Sequence, residues 1–309
     1  MKREEFKFRS ADGKNKCHAY LWTPEDREVR AVLQIVHGMV EYGERYEDFA
    51  RFLTGHGFAV ACEDHLGHGK TAATAEDLGY FAEENAPGIL VKNVHRLRKI
   101  MAEKFPDVPY FMLGHSMGSF IFRRYLTVHG EGLAGAVIMG TGFQSGALTL
   151  PALALSGTIG LFKGDRYRSA VIQKLAFGGY NKKIAEPHTE NAWLTRDDEI
   201  VDRYNADPFC TFRFTINGYQ TLFRLVRSAC DVRRFALIPK TLPVLIVSGD
   251  SDPVGDYGKA PKKLCRLYRE AGIRDVSLKL YRGGRHEILN ETNRSEVYAD
   301  LLGWMEKKI

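Results

Sequence analysis

Tyr110-Phe111-Met112-Leu113-Gly114-His115-Ser116-Met117-Gly118-Ser119-Phe120-Ile121-Phe122 is the stretch that decides how this chain reads. Tyr110 to Leu113 are apolar and strand-like. Phe120, Ile121, Phe122, Tyr125 and Leu126 recur at helical spacing. Between them stands Gly114-His115-Ser116-Met117-Gly118, a G-x-S-x-G pentapeptide. Strand, sharp turn and helix are the context in which that pentapeptide forms a nucleophile elbow. Ser116 is expected to hold a strained backbone with its hydroxyl above the sheet, and Gly114 and Gly118 leave the space beside it empty. The Met117 N–H then falls at a helix N-terminus, where it can stabilise a developing oxyanion. Alone, the pentapeptide also fits a strand–turn–helix that merely contains a serine, so the rest of the chain must decide.

Strands and helices alternate on both sides of the elbow. Residues 1–22 read as a β-hairpin around Ala11-Asp12-Gly13-Lys14. Ala31–Val36 and Phe58–Cys62 are apolar runs of the kind buried on both faces of a parallel sheet. An amphipathic helix over Tyr46–His56 separates them. Ile89–Phe105 is a helix with Leu90, Val94, Leu97 and Met101 on one side. Leu133–Met139, Leu242–Val247 and Val276–Tyr281 are further strands, with helices over Lys259–Ala271 and Ser295–Lys307. This alternation predicts a doubly wound, mostly parallel sheet.

The rhythm breaks between about Thr141 and Cys230, where no strand pattern occurs. The simplest expectation for the apolar stretch Leu148–Phe162 is a helix packed on the core. The sharper one is an interfacial face, or a mouth that admits an acyl chain. Asp64-His65-Leu66-Gly67-His68-Gly69-Lys70-Thr71 ends like a phosphate loop, but Asp64 stands where that motif needs its first glycine. The stretch reads as a structural turn.

Composition narrows the function classes. The chain has 309 residues, 44% of them hydrophobic, enough for one large domain with an insertion. No apolar run reaches the ~18 residues of a membrane span, and Met1–Phe6 lacks a signal-peptide core. Five dispersed cysteines argue for reduced thiols, a cytoplasmic setting and no metal site. The net charge of +6 comes without a dense basic block, which excludes a nucleic-acid partner. It admits transient contact with an anionic membrane surface through the 141–230 segment.

A serine hydroxyl needs a base. Among ten histidines, His286 lies just beyond the last strand, on a glycine-flanked loop that can reach back to the elbow. His95 and His129 fall in helical patterns, and His115 is expected to point away if Ser116 points in. Asp252 follows the preceding strand, so the order is Ser116, Asp252, His286, as expected for a triad of this type. Asp250 is the rival acid and reads better as a turn-forming aspartate. His37-Gly38-Met39 ends an earlier strand, where the Met39 N–H would join that of Met117 in an oxyanion hole.

These residues resemble the α/β-hydrolases of the monoacylglycerol lipase and lysophospholipase type (the serine aminopeptidase, or hydrolase-4, group). The resemblance rests on His37-Gly38-Met39-Val40-Glu41, Arg45-Tyr46, Asp64–Gly69, Gly114–Gly118, Asp252-Pro253-Val254 and His286-Glu287-Ile288-Leu289-Asn290-Glu291. It implies an α/β-hydrolase fold of about eight strands with core over 1–140 and 231–309 and a helical cap over 141–230. By it, Ser116 is nucleophile, His286 base and Asp252 acid, with Met39 and Met117 as oxyanion donors and neither metal nor cofactor. Gly38, Glu41 and Arg45 match positions around the alcohol side of the substrate pocket. Monoacylglycerol lipases carry a second histidine three residues past the catalytic one, where this chain has Leu289. The expected activity is hydrolysis of monoacyl lipid esters through an acyl-enzyme. The alternatives are a small-ester esterase, an aminopeptidase or amidase, an acyltransferase and a non-catalytic small-molecule binder.

Overall fold

The computed structural model describes residues 1–144 and 146–309. Its N-terminal hairpin is β1 (Lys2–Arg9) and β2 (Lys16–Thr23). There follow β3 (Ala31–Val36), α1 (Glu47–Thr54), β4 (Phe58–Glu63), α2 (Ala86–Lys104), β5 (Tyr110–His115), α3 (Met117–His129) and β6 (Gly135–Met139). Then come α4 (Gly146–Lys163), α5 (Ala170–Phe177), α6 (Asp198–Ala206) and α7 (Ile216–Ala229). The chain closes with β7 (Val244–Gly249), α8 (Lys259–Glu270), β8 (Val276–Tyr281) and α9 (Arg294–Glu306).

One eight-stranded sheet runs in the order β1-β2-β4-β3-β5-β6-β7-β8. The pairs β1/β2 and β2/β4 are antiparallel, and the rest are parallel. Every residue of β3, β4, β5 and β7 is buried, which is why these strands read as mostly apolar runs. Alternate residues serve opposite layers: Val32 and Val36 pack with α2, α3, α7 and α8, while Leu33 and Ile35 pack with α1 and α9. β1 forms one edge, and its charges discourage further strand pairing.

Among the described residues no strand lies between β6 and β7. α4 runs through Pro151 and packs on α7. Its orientation departs from the simplest sequence expectation. Thr149 and Ser156 are buried, their hydroxyls donating to Gly146 O and Leu153 O at 3.2 and 3.0 Å. Leu148, Leu161 and Phe162 are 64%, 87% and 83% exposed. Local hydrogen bonds let Thr149 and Ser156 go inward, while Leu161 and Phe162 face out.

Candidate active site

Ser116 occupies the turn between β5 and α3 with φ 53° and ψ −121°, a conformation that β-carbon crowding makes costly. Its N–H donates to Met139 O at 3.0 Å. The flanking glycines serve packing as well as the turn. A β-carbon on Gly118 would lie 2.0 Å from Val36 O, and one on Gly114 2.7 Å from Phe122 Cβ. Without them α3 could not approach β3 and β5.

His286 follows β8 and Asp252 follows β7. Their loops touch backbone to backbone, since a β-carbon on Gly249 would fall 1.9 Å from Gly284 O. His286 Nε2 lies 2.8 Å from Ser116 Oγ, and His286 Nδ1 lies 3.0 and 3.1 Å from the two oxygens of Asp252. Asp252 is fully buried and also accepts from Val254 N–H at 2.9 Å and Ser248 Oγ at 3.3 Å. The Trp193 ring stands 5.0 Å from that of His286. Asp250 accepts instead from Gly283 N–H at 2.8 Å and Ser251 Oγ at 3.1 Å, as a turn former does.

Gly38 passes so close to the elbow that a β-carbon on it would stand 3.0 Å from Ser116 Cβ. Among the described residues neither Met39 N–H nor Met117 N–H has an acceptor, and both residues line the adjoining cavity. The loop between them and α1 is held from below by Glu41, which accepts from Gly38 N–H and, at 2.9 Å, from Tyr46 Oη. From above, Tyr204 Oη of α6 donates to Val40 O at 3.0 Å.

Glu41 belongs to a buried charge network that sequence reading touched only in parts. Arg45 grips Glu287 with two 2.7 Å hydrogen bonds and reaches Glu41 at 3.1 Å. Burial opposes ionisation of Glu287, but the Arg45 guanidinium outweighs it and holds the carboxyl at about 2. Burial likewise opposes a charge on His115, yet Glu41, 2.9 Å from His115 Nδ1, shifts that imidazole upward. His115 does not point away. Its ring lies 4.8 Å from that of His286, with Nδ1 held against Glu41. Arg45 itself stands behind Glu41 and Glu287 rather than lining the cavity, its guanidinium 4.9 Å from the Tyr204 ring centre. His115, Tyr46, Tyr204 and Glu287 have no spacing rule that marks them, since contact between distant segments creates their roles.

A second buried group supports the oxyanion loop. His37 Nε2 accepts from His65 N–H at 2.9 Å, and burial pushes His65 and His68 down to about 3 and 4, so both stay uncharged near neutrality. Asp64 accepts from Gly43 N–H and Lys70 N–H, each at 2.8 Å, the structural turn that the sequence suggested. Among the described residues no cluster of His, Cys, Asp and Glu is arranged to hold a metal ion.

A cavity of about 1010 Å³ opens above Ser116. Its lining includes the apolar Phe120, Leu148, Ala152, Leu222, Phe223 and Val226, and the polar Asn181, Glu190, Asn191 and Thr211, with Tyr180 and Trp193.

A serine in a strand–helix turn, a histidine and an aspartate after the last two strands, and this strand order together define an α/β-hydrolase. The family model described as serine aminopeptidase, S33 (Hydrolase_4), matches residues 27–293, and the chain belongs to this family of hydrolases. It is similar to the monoacylglycerol lipase of Mycolicibacterium smegmatis, 29% identical over 285 residues that cover 92% of this chain and 91% of that one. It is 26% identical to human monoglyceride lipase over 306 residues, 97% of this chain and 89% of the other. In structure it resembles a highly thermostable carboxyl esterase from Bacillus coagulans, solved in complex with glycerol, with TM-score 0.92, 31% identity and 99% coverage of both chains.

Proposed function

We propose that the chain is a serine carboxylester hydrolase that cleaves monoacyl lipid esters through an acyl-enzyme on Ser116. The observation that carries this reading is the 2.8 Å contact between His286 Nε2 and Ser116 Oγ at the foot of a cavity lined by both apolar and polar side chains. Ser116 Oγ attacks the ester carbonyl as His286 Nε2 takes its proton. Asp252 holds the imidazole by Nδ1 and offsets its charge. The Met39 and Met117 N–H groups receive the oxyanion, a contribution on the order of 3 kcal/mol for each donor. His286 then protonates the departing alcohol, and a water activated by the same nitrogen releases the acid. In this reading the apolar lining side chains take the acyl chain and the polar ones the alcohol. Leu289, buried among core residues, stands where monoacylglycerol lipases carry their second histidine, so recognition of the alcohol passes to other groups here, such as Asn191 and Glu190.

Residues 141–230 act in this reading as a cap over the core. The outward Leu161, Phe162, Val171 and Leu175, with Lys163 and Lys174 nearby in sequence, support transient contact with an anionic membrane surface. Among the described residues no helix is long and apolar enough to cross a membrane. Five free cysteines, four of them buried, support a reducing cytoplasmic setting. An aminopeptidase would need an unpaired acidic cluster for the substrate amine. Of the carboxylates lining the cavity, Glu41 and Glu287 are engaged by Arg45, which leaves Glu190.

The test is turnover of p-nitrophenyl esters from acetate to palmitate, with 1-monoacylglycerol and lysophosphatidylcholine, against Ser116→Ala. Medium- or long-chain preference abolished in the variant is the expected result. Activity that survives the substitution overturns the mechanism, and turnover of acetate alone overturns the lipid substrate. No turnover, with Ser116 also unlabelled by a fluorophosphonate, leaves the binding-protein alternative.

A further inference from the structure

Arg123 is 1% exposed, yet no carboxylate pairs with it among the described residues. A buried guanidinium without a counter-ion is retained only where its donors meet acceptors that a neutral side chain could not reach together. Arg123 projects from α3, the nucleophile's helix. Its Nη1 donates to Thr141 Oγ1 at 3.1 Å and Gly142 O at 2.9 Å, where the chain leaves β6 for α4. Its Nη2 donates to Ala229 O at 2.6 Å and contacts Cys230 Sγ at 3.7 Å, where the chain leaves α7. Ala229 is the last residue of α7, so the cation also meets the negative end of that helix.

The link continues to the nucleophile. Ser119 Oγ lies 2.5 Å from Ser116 O and 2.7 Å from Thr141 Oγ1. Each hydroxyl has one proton. With that of Ser119 given to the Ser116 carbonyl, Thr141 donates to Ser119 and accepts from Arg123. The entry junction also packs on the acid's loop, since a β-carbon on Gly142 would lie 2.9 Å from Val254 O.

We propose that Arg123 is a positioning residue that pins both ends of the 141–230 segment to the nucleophile's helix and thereby sets the acyl-chain preference. The proposal rests on the acyl-ester reading above. α7 carries Leu222 and Val226 of the cavity lining, and α3, against which α7 packs, carries Phe120. Arg123 fixes the distance between those two surfaces. A short acyl group does not reach that far, so its turnover feels the clamp only through the Ser119 bond to Ser116 O.

The experiment compares Arg123→Met, Arg123→Lys and Thr141→Val with the unaltered enzyme on p-nitrophenyl acetate and laurate. The expected result for Arg123→Met is a tenfold or greater fall in kcat/KM for laurate, carried by KM, with a clearly smaller fall for acetate. Arg123→Lys, which keeps the charge but cannot span both junctions, restores this only in part, and Thr141→Val moves the same way by less. An equal fall on both esters, or an unchanged chain-length profile in folded variants, overturns the proposal. If Arg123→Met does not fold, the other two variants decide. Hydrogen exchange gives a readout that needs no substrate: amides at 141–142 and 229–230 should exchange faster in Arg123→Lys, with β5 and β7 unchanged, and equal protection there overturns the clamp. Failure of the unaltered enzyme on every ester would instead sink the acyl-ester reading, while exchange would still judge the clamp.

Discussion

Arg45 and Glu287 meet as two forks, Nη1 to Oε1 and Nη2 to Oε2, each at 2.7 Å, one residue away from His286. The pair joins the loop before α1 to the loop after β8, and so ties the Gly38–Glu41 side of the site to His286. Removing the cation leaves Glu41 and Glu287 buried without their partner. Arg45→Met should therefore cost about 3–5 kcal/mol of stability, measured by urea unfolding. Arg45→Lys should lose less, since it keeps the charge and only the bidentate geometry goes. Equal stability of Arg45→Met and the unaltered protein would show the network to be incidental.

Asp252→Asn preserves shape but presents an amide to His286 Nδ1, which favours the wrong tautomer. The expected outcome is a fall in kcat on the order of 10³–10⁴, with the melting temperature nearly unchanged. The slow rate of fluorophosphonate labelling at Ser116 reports the same loss without a substrate. Normal labelling in Asp252→Asn would remove the aspartate from the mechanism.

Gly118→Ala tests the elbow's packing. The new methyl would stand 2.0 Å from Val36 O and 2.3 Å from His37 O, both of them backbone atoms that cannot swing aside. The variant should lose ~1–3 kcal/mol or more by overpacking and lose activity, because His37 and Gly38 would shift the Met39 amide. Wild-type activity in soluble Gly118→Ala would contradict this packing.

Glu63 makes stability depend on pH. It is fully buried at the end of β4, and burial lifts its carboxyl from 4.5 to about 8. The folded state thus binds the proton more tightly than the unfolded chain. That stabilisation is complete below about pH 4.5 and is lost as the pH rises through about 8, by roughly 1.4 kcal/mol for each unit between. Asp64, lifted to about 7, acts with the same sign. Below about pH 6.5 the buried neutral His65 and His68 act with the opposite sign, so denaturant unfolding should show falling stability from pH 7 to 9, and Glu63→Gln should flatten the fall without abolishing it. An unchanged slope in Glu63→Gln would mean that Glu63 is ionised in the folded protein.

Tyr204→Phe removes one hydrogen bond, from α6 to Val40 O at 3.0 Å, and leaves the ring under Arg45. About 1 kcal/mol of support for the oxyanion loop should go, read as a severalfold lower kcat with little change in KM. A pure KM effect would place Tyr204 against substrate instead.

By itself the sequence determined whatever depends on local pattern. Apolar runs such as Ala31–Val36 specified buried strands, the G-x-S-x-G between a strand and a helix specified the elbow, and chain order after successive strands singled out Asp252 and His286. Each follows from backbone stereochemistry, side-chain period and the rule that chemistry gathers at strand ends. The tertiary structure alone decided what depends on which distant segments meet. It turned His115 under His286, closed Arg45 onto Glu287, set Tyr204 over Val40 and gave Arg123 both ends of the 141–230 segment. It also left Leu161 and Phe162 of α4 facing out while Thr149 and Ser156, which satisfy their hydroxyls within their own helix, are buried. A buried charge or hydroxyl is stabilised by the particular partner opposite it, and no spacing along the chain encodes that partner.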